Sequence, residues 1–263
     1  MKPIEKIKAA FAKDRPALMP YFSIGYPSYE TSLDIIQACV EAGADLMELG
    51  LPFSDPLADG PTIQHSTQVA LENGVTTASC LDAVRELRSR GIEIPFMLMG
   101  YYNPIFAYGV EKFVQDSATA GANGFIIPDL PAEEAGALEN ACKSHGMGLS
   151  YLLSSNTSDD RATMLTQRSL GFTYLVSVIG ITGARDALNP NLVAFVERIR
   201  GLAPNTMPLA MGFGISTPEQ ARTVSEHTDG IIVGSALINT VRDADDPVKA
   251  AMDYVASLRA ALG

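Results

Sequence analysis

Positive charge is scarce in this chain. Nineteen Lys and Arg face thirty Asp and Glu, for a formal net charge of −11, and no basic tract interrupts the deficit. Such a surface repels a phosphate backbone, which excludes nucleic acid as a partner. Long apolar runs are also missing. None approaches the ~20 residues that span a bilayer, which argues against a membrane helix. The N-terminus, residues 1–11, alternates charged with apolar residues and reads as an amphipathic helix without the apolar core of a signal peptide. Cysteine is limited to Cys39, Cys80 and Cys142, an odd and widely spaced set. Neither a disulfide framework nor a zinc motif follows, so the expected compartment is the reducing cytoplasm. His65, His145 and His227 are scattered, none at the C-terminal end of a strand candidate, so no metal site is expected. Seven lysines fall in predicted helices or at the N-terminus, which removes imine chemistry at a strand end. No Ser- or Gly-rich linker divides the chain, and residues 1–263 read as one domain. Tryptophan is absent altogether, which excludes nothing.

What is present is a recurring unit. A polar-patterned segment ends in a small residue or Gly, and a short apolar run follows. Residues 39–45 lead into Leu46-Met-Glu-Leu, residues 118–124 into Phe125-Ile-Ile-Pro-Asp, residues 167–171 into Phe172-Thr-Tyr-Leu-Val-Ser-Val, and residues 225–230 into Ile231-Ile-Val-Gly. Short, nearly continuous apolar runs mark strands buried on both faces. Residues 19–25, 95–100, 147–153 and 207–212 complete a set of eight, and residues 79–90, 110–120, 132–144 and 191–202 carry helical periodicity between them. Eight alternating strands and helices in this length predict a single (β/α)₈ TIM barrel with the N-terminal helix in front. The competitor is an open doubly wound sheet, but Gly25-Tyr-Pro-Ser lacks the Gly-rich first turn of that fold.

Barrel chemistry sits where strands end. Glu48 is a lone carboxylate in the apolar run 45–50, at the end of the second strand candidate. A buried carboxylate must find a partner or stay protonated. It is therefore either a proton-transfer group or an acid satisfied by a nearby amide or hydroxyl. Asn103 follows the third strand, Asp129 the fourth and Thr182 the sixth. Asp129 reads first as a structural strand-end acid. Gly212-Phe-Gly-Ile-Ser216 and Gly234-Ser-Ala236 follow the last two strands, and Gly180-Ile-Thr-Gly183 follows the sixth. Each could be only a tight turn. Together, at the corner where phosphate barrels place their anion, they point to a phosphate held by amides and by a helix starting near Ala236. Arg185 is a candidate charge at the rim. What remains is acid–base catalysis on a phosphorylated substrate, without metal or cofactor.

Residues 48–64, with Phe22-Ser-Ile-Gly-Tyr-Pro27, Gly180-Ile-Thr-Gly-Ala184, Gly212-Phe-Gly-Ile-Ser216 and Gly234-Ser235, closely resemble the motifs of the tryptophan synthase α subunit family. The resemblance runs over nearly the whole chain. It implies retro-aldol cleavage of indole-3-glycerol phosphate to indole and glyceraldehyde 3-phosphate. It also implies roles. Glu48 would be the general acid–base, and Asp59 would stabilise the indole N–H. Tyr174 would help place Glu48 and the substrate, and Thr182 would help a closing loop hold Asp59. Phe22, Met99, Ile126, Phe213 and Ile232 would line the indole pocket. Gly183, Gly212, Phe213, Gly214, Gly234 and Ser235 would carry the phosphate. The partner implied is a pyridoxal-phosphate-dependent β subunit in an α₂β₂ complex, with Asp55 pairing to a basic residue on it, unless Asp55 is simply a solvated loop acid. Many family members carry Asp where this chain has Tyr26, which bears on the contacts of the first loop. Two other readings stand beside the lyase: a phosphate-ligand regulator that only activates a partner, and a sugar-phosphate isomerase or epimerase.

Overall fold

The structure, a computed structural model, describes residues 1–176, 190–212 and 214–263. Among the described residues the strands are β1 (Ala17–Ser23), β2 (Met47–Gly50), β3 (Phe96–Met99), β4 (Gly124–Ile126), β5 (Gly148–Ser150), β6 (Leu152–Ser154), β7 (Thr173–Val176), β8 (Leu209–Gly212) and β9 (Gly230–Val233). The helices are α1 (Pro3–Ala10), α2 (Tyr29–Glu41), α3 (Pro61–Glu72), α4 (Thr77–Ser89), α5 (Tyr102–Tyr108), α6 (Val110–Ala120), α7 (Gly136–His145), α8 (Asp159–Arg168), α9 (Pro190–Leu202), α10 (Pro218–Ser225), α11 (Ser235–Arg242) and α12 (Pro247–Leu262).

Every strand pair is parallel, in the order β5-β4-β3-β2-β1-β9-β8-β7-β6. The two ends of that order, β5 and β6, are separated in the chain by Tyr151 alone. They are two halves of one strand, so the sheet closes into a barrel. The sequence predicts an unbroken strand over 147–153. The break arises because the Tyr151 N–H turns to Ser169 Oγ at 3.3 Å, while its hydroxyl donates to Glu139 Oε1 at 2.7 Å outside the barrel. The helix expected over 132–144 is likewise divided, into a 3₁₀ turn (Ala132–Glu134) and α7. Arg168 takes the Ala132 carbonyl that a continuous α-helix would have paired.

Alternation along each strand sorts side chains into two cores. Leu18, Phe22, Met47, Leu49, Phe96, Leu98, Phe125, Leu175, Leu209 and Ile231 face the helix layer. Ala17, Met19, Leu46, Met97, Ile126, Tyr174, Ala210 and Ile232 form the inner cluster. Ile7 of α1 joins that inner cluster and is fully buried, so the N-terminal amphipathic helix plugs the bottom of the barrel with its apolar face. The helix layer follows from ordinary patterning. Thr76 caps α4 in a reciprocal box with Ser79, and Cys80, Leu81, Val84 and Leu87 fall on one buried face.

Two acids on one short segment meet opposite fates. Asp45, just before β2, is buried but accepts from Lys13, Arg15, Arg259 and the Leu18 N–H. Arg259 comes from α12, so this network ties the C-terminal helix to the bottom of the barrel. Glu48, three residues later, lies at the other end of the strand and has no such company.

Candidate active site at the C-terminal mouth of the barrel

Glu48 shares the parity of Leu46 and therefore points inward. It is fully buried, and among the described residues neither carboxylate oxygen has a hydrogen-bond partner. Burial alone pushes its carboxyl well above the usual carboxylate range. The inward side chain of Tyr21 on β1 is its register partner. Tyr21 is itself held by a buried hydroxyl chain: its hydroxyl and Ser23 Oγ lie 3.2 Å apart, Ser23 Oγ and Ser66 Oγ 2.8 Å apart, and Ser66 donates to the Ile63 carbonyl at 2.8 Å.

Glu48 opens into a cavity of about 380 Å³ above the barrel. Tyr21, Met99, Tyr174 and Ile232 form its floor from four strands, and Asp59, Gly60 and Ile63 wall one side. The opposite wall is Gly214, Ile215 and Ser216 with Gly234, Ser235 and Ala236. No Lys, Arg or His lines it among the described residues. Helix α11 begins at Ser235 with no side-chain cap, so its first-turn amides remain free for an anion.

Two glycines make room for the tyrosines. A Cβ on Gly50 would fall 2.2 Å from the Tyr21 hydroxyl, and one on Gly212 would fall 2.3 Å from the Tyr174 hydroxyl. Both rings therefore lie across strand ends that tolerate no side chain.

Asp59 lies in the loop between β2 and α3. Burial raises its carboxyl, and a 2.9 Å hydrogen bond from the Tyr101 hydroxyl opposes the rise. Gln64 on α3 donates to the Asp59 carbonyl at 2.8 Å, fixing the loop against the helix. One acid whose charged form burial disfavours thus shares a cavity with a second, hydrogen-bonded one, while the far wall offers backbone amides. That is equipment for proton transfer on a substrate anchored by an anionic group.

The family model for the tryptophan synthase alpha chain matches residues 7–261. The chain belongs to the tryptophan synthase alpha chain family. It is 46% identical over 250 residues to the tryptophan synthase alpha chain of Roseiflexus sp. (strain RS-1), covering 94% of this chain and 95% of that one. Its identity to the alpha chain of Dehalococcoides mccartyi is also 46%, over 98% of this chain and all of the other. The crystal structure of tryptophan synthase subunit alpha from Legionella pneumophila superposes with a TM-score of 0.91 at 38% identity, covering 99% of this chain and 98% of that one. As a member of this family, the chain is a lyase of tryptophan biosynthesis that cleaves indole-3-glycerol phosphate to indole and glyceraldehyde 3-phosphate.

The fold brings most of the expected tryptophan synthase site together. Glu48, Asp59, Met99, Tyr174, Gly214, Ile232, Gly234 and Ser235 all line the one cavity. Phe22 does not: it shares the outward parity of Leu18 and is buried against the helix layer. Ile126 faces inward but lies in the packed inner cluster rather than on the cavity wall. Gly212 contributes by what it lacks, through the space it leaves for Tyr174. Thr182, Gly183, Phe213, Arg185 and the whole 180–184 motif were also expected here and lie outside the described residues. Asp55 is exposed in the loop and accepts from its neighbour Ser54. Asp129 accepts from the Tyr102 N–H at 2.9 Å, so it caps α5, the structural role. Tyr26 is buried between Phe22 and His65, in contact with both rings.

Sequence reading missed Tyr21 and Tyr101. Period-two parity from Met19 could have found Tyr21. Tyr101 has no local signal, because its partner is 42 residues away in sequence.

Proposed function

We propose that Glu48 and Asp59 divide the retro-aldol reaction between them, and that residues 1–263 act as one catalytic barrel domain. The observation that carries this is the contrast between the two carboxyls, one buried and unpartnered, the other held by a phenol in the same cavity. Protonated Glu48 delivers its proton to indole C3. The ring nitrogen takes up the positive charge, and its N–H becomes strongly acidic. Ionised Asp59 accepts that hydrogen bond and stabilises the charge. The bond from C3 to the first glycerol carbon then breaks. Its electron pair returns to the ring, and the hydroxyl on the departing carbon becomes a carbonyl as its proton passes back to Glu48. Indole and glyceraldehyde 3-phosphate leave, with Glu48 protonated again.

The dianionic phosphate sits at Gly214, Gly234 and Ser235, on open backbone amides and the N-terminus of α11. Tyr174 positions Glu48 and the substrate from the cavity floor. Met99 and Ile232 hold the indole ring, with Ile126 in the packed inner cluster of the barrel.

The partner we propose is a pyridoxal-phosphate-dependent β subunit in an α₂β₂ complex. Indole is small and apolar, and direct transfer to a second active site prevents its escape. The surface beside the mouth supports docking there. Leu57, in the loop that carries Asp59, is 90% exposed and Phe106 on α5 is 68% exposed. Asp55, two residues before Leu57 in the same loop, offers a charge to a basic residue of the partner. We place the chain in the cytoplasm, in keeping with three buried, unpaired cysteines. No helix among the described residues is long and apolar enough to cross a membrane.

The test is indole release from indole-3-glycerol phosphate by purified protein and by Asp59→Asn. Loss of about 10²-fold or more in kcat for Asp59→Asn, with a folded circular-dichroism spectrum, is the expected result. Retention of wild-type turnover would remove Asp59 from the mechanism.

A further inference from the structure

We propose that Tyr101 is a positioning residue for this reaction, its phenol holding the Asp59 carboxylate and its loop in the geometry that receives the indole N–H. The proposal rests on the role given to Asp59 above.

Tyr101 follows β3 and is 5% exposed. Its hydroxyl makes two contacts with consecutive loop residues. It donates to Asp59 Oδ2 at 2.9 Å and accepts from the Ala58 N–H at 3.0 Å. Its ring packs on Phe53 at the start of the same loop, with centroids 5.4 Å apart. The Leu51 N–H adds a 2.8 Å bond to the Met99 carbonyl. The loop is therefore pinned at both ends to the end of β3, and Tyr101 supplies most of the pins.

The arrangement also selects a direction. The phenol has one proton, and with the amide of Ala58 pointing at its oxygen, that proton goes to the carboxylate. Among the described residues no donor reaches Asp59 Oδ1, which leaves that oxygen for the substrate. The groups sharing the cavity with Asp59 are Tyr21 from β1, Glu48 from β2 and Tyr174 from β7, none of them a cation. Asp129 lies on the far side of Tyr101 and is acidic too. Burial pushes the Tyr101 phenol up, so it remains a donor throughout the working range. It is thus the one side-chain donor among the described residues that favours the ionised form of Asp59, against the cost of burial.

Tyr101→Phe removes the donor and keeps the ring on Phe53. Indole release is measured from pH 5 to 9, with kcat and KM separated. A hydrogen bond to a charged group is worth enough to move the ionisation by a factor on the order of ten. We therefore expect kcat/KM of Tyr101→Phe to fall roughly tenfold further on the acid limb than on the plateau, with the basic limb unmoved. KM should change less than kcat, because the phosphate corner is untouched. Phe53→Leu, which loosens the loop but keeps the hydroxyl, should lower kcat without moving the acid limb. It also separates the two roles if Tyr101→Phe proves too unstable, since an acid limb displaced by Phe53→Leu would make ionisation a consequence of loop order alone. Asp59→Asn is assayed in parallel. If it stays active, the role of Asp59 itself is wrong. If it is inactive while Tyr101→Phe loses activity equally at every pH, Asp59 stands and the positioning claim falls.

Discussion

Replacing Glu48 by Gln should inactivate the protein and at the same time flatten its stability against pH. The second effect follows from burial without a partner. In the unfolded chain a Glu titrates near about 4.3. In the folded protein burial holds the carboxyl well above that range. Between the two values the unfolded state releases a proton that the folded state keeps. Stability therefore falls as pH rises, starting near the unfolded value and ending once the folded group has ionised; below the unfolded value the penalty is absent. One proton sets the limit at about 1.4 kcal/mol per pH unit. From pH 5 to 7 the loss attributable to Glu48 approaches about 2.7 kcal/mol if the group stays protonated over that span, a large part of the 5–15 kcal/mol typical of a domain. Gln has the shape of the protonated acid and no ionisation to lose. Urea unfolding of both proteins at pH 5, 6 and 7 reads the difference directly. The gap between the two curves should shift in favour of Glu48→Gln with each pH unit, while kcat falls by about 10²–10⁴-fold. Parallel stability profiles would show that Glu48 is ionised and satisfied in the folded protein, and the proton donor assigned here would be wrong.

Gly212→Ala places a methyl 2.3 Å from the Tyr174 hydroxyl, so the ring must move; we expect a cost of about 1–3 kcal/mol in urea unfolding and a fall in kcat, and unchanged values for both would detach Tyr174 from the site. Gly234→Asp sets a negative side chain at the start of α11, where the dianion is proposed to bind; calorimetric titration with glycerol phosphate should show no measurable affinity, and wild-type affinity would move the phosphate elsewhere. Adding a cognate β subunit should raise indole formation many-fold, and Asp55→Ala should blunt that rise more than it alters the isolated chain. If neither size nor activity responds to the β subunit, the partner assignment fails.

Much of this protein is legible before any coordinates. Glu48 stands out because a carboxylate in an apolar run is costly and needs a reason. The strand count follows from runs buried on both faces, and the phosphate corner from glycine clusters at strand ends, since both are local properties of the chain. The tertiary structure decided what depends on distant partners. Asp45 and Glu48 look alike in one short segment, yet Arg259 crosses from the C-terminal helix to pair one, and no donor among the described residues reaches the other. Nothing local to Gly50 or Gly212 says that the rings of Tyr21 and Tyr174 will lie across them. The family resemblance implies Phe22 as a pocket residue, but strand parity turns it into the helix layer. Tyr101 has no motif at all, and its meaning lies in a hydrogen bond spanning 42 residues. Pattern and composition report which side chains must be buried. Which of them meet is set by register, strand parity and barrel closure, and those exist only once the sheet has closed on itself.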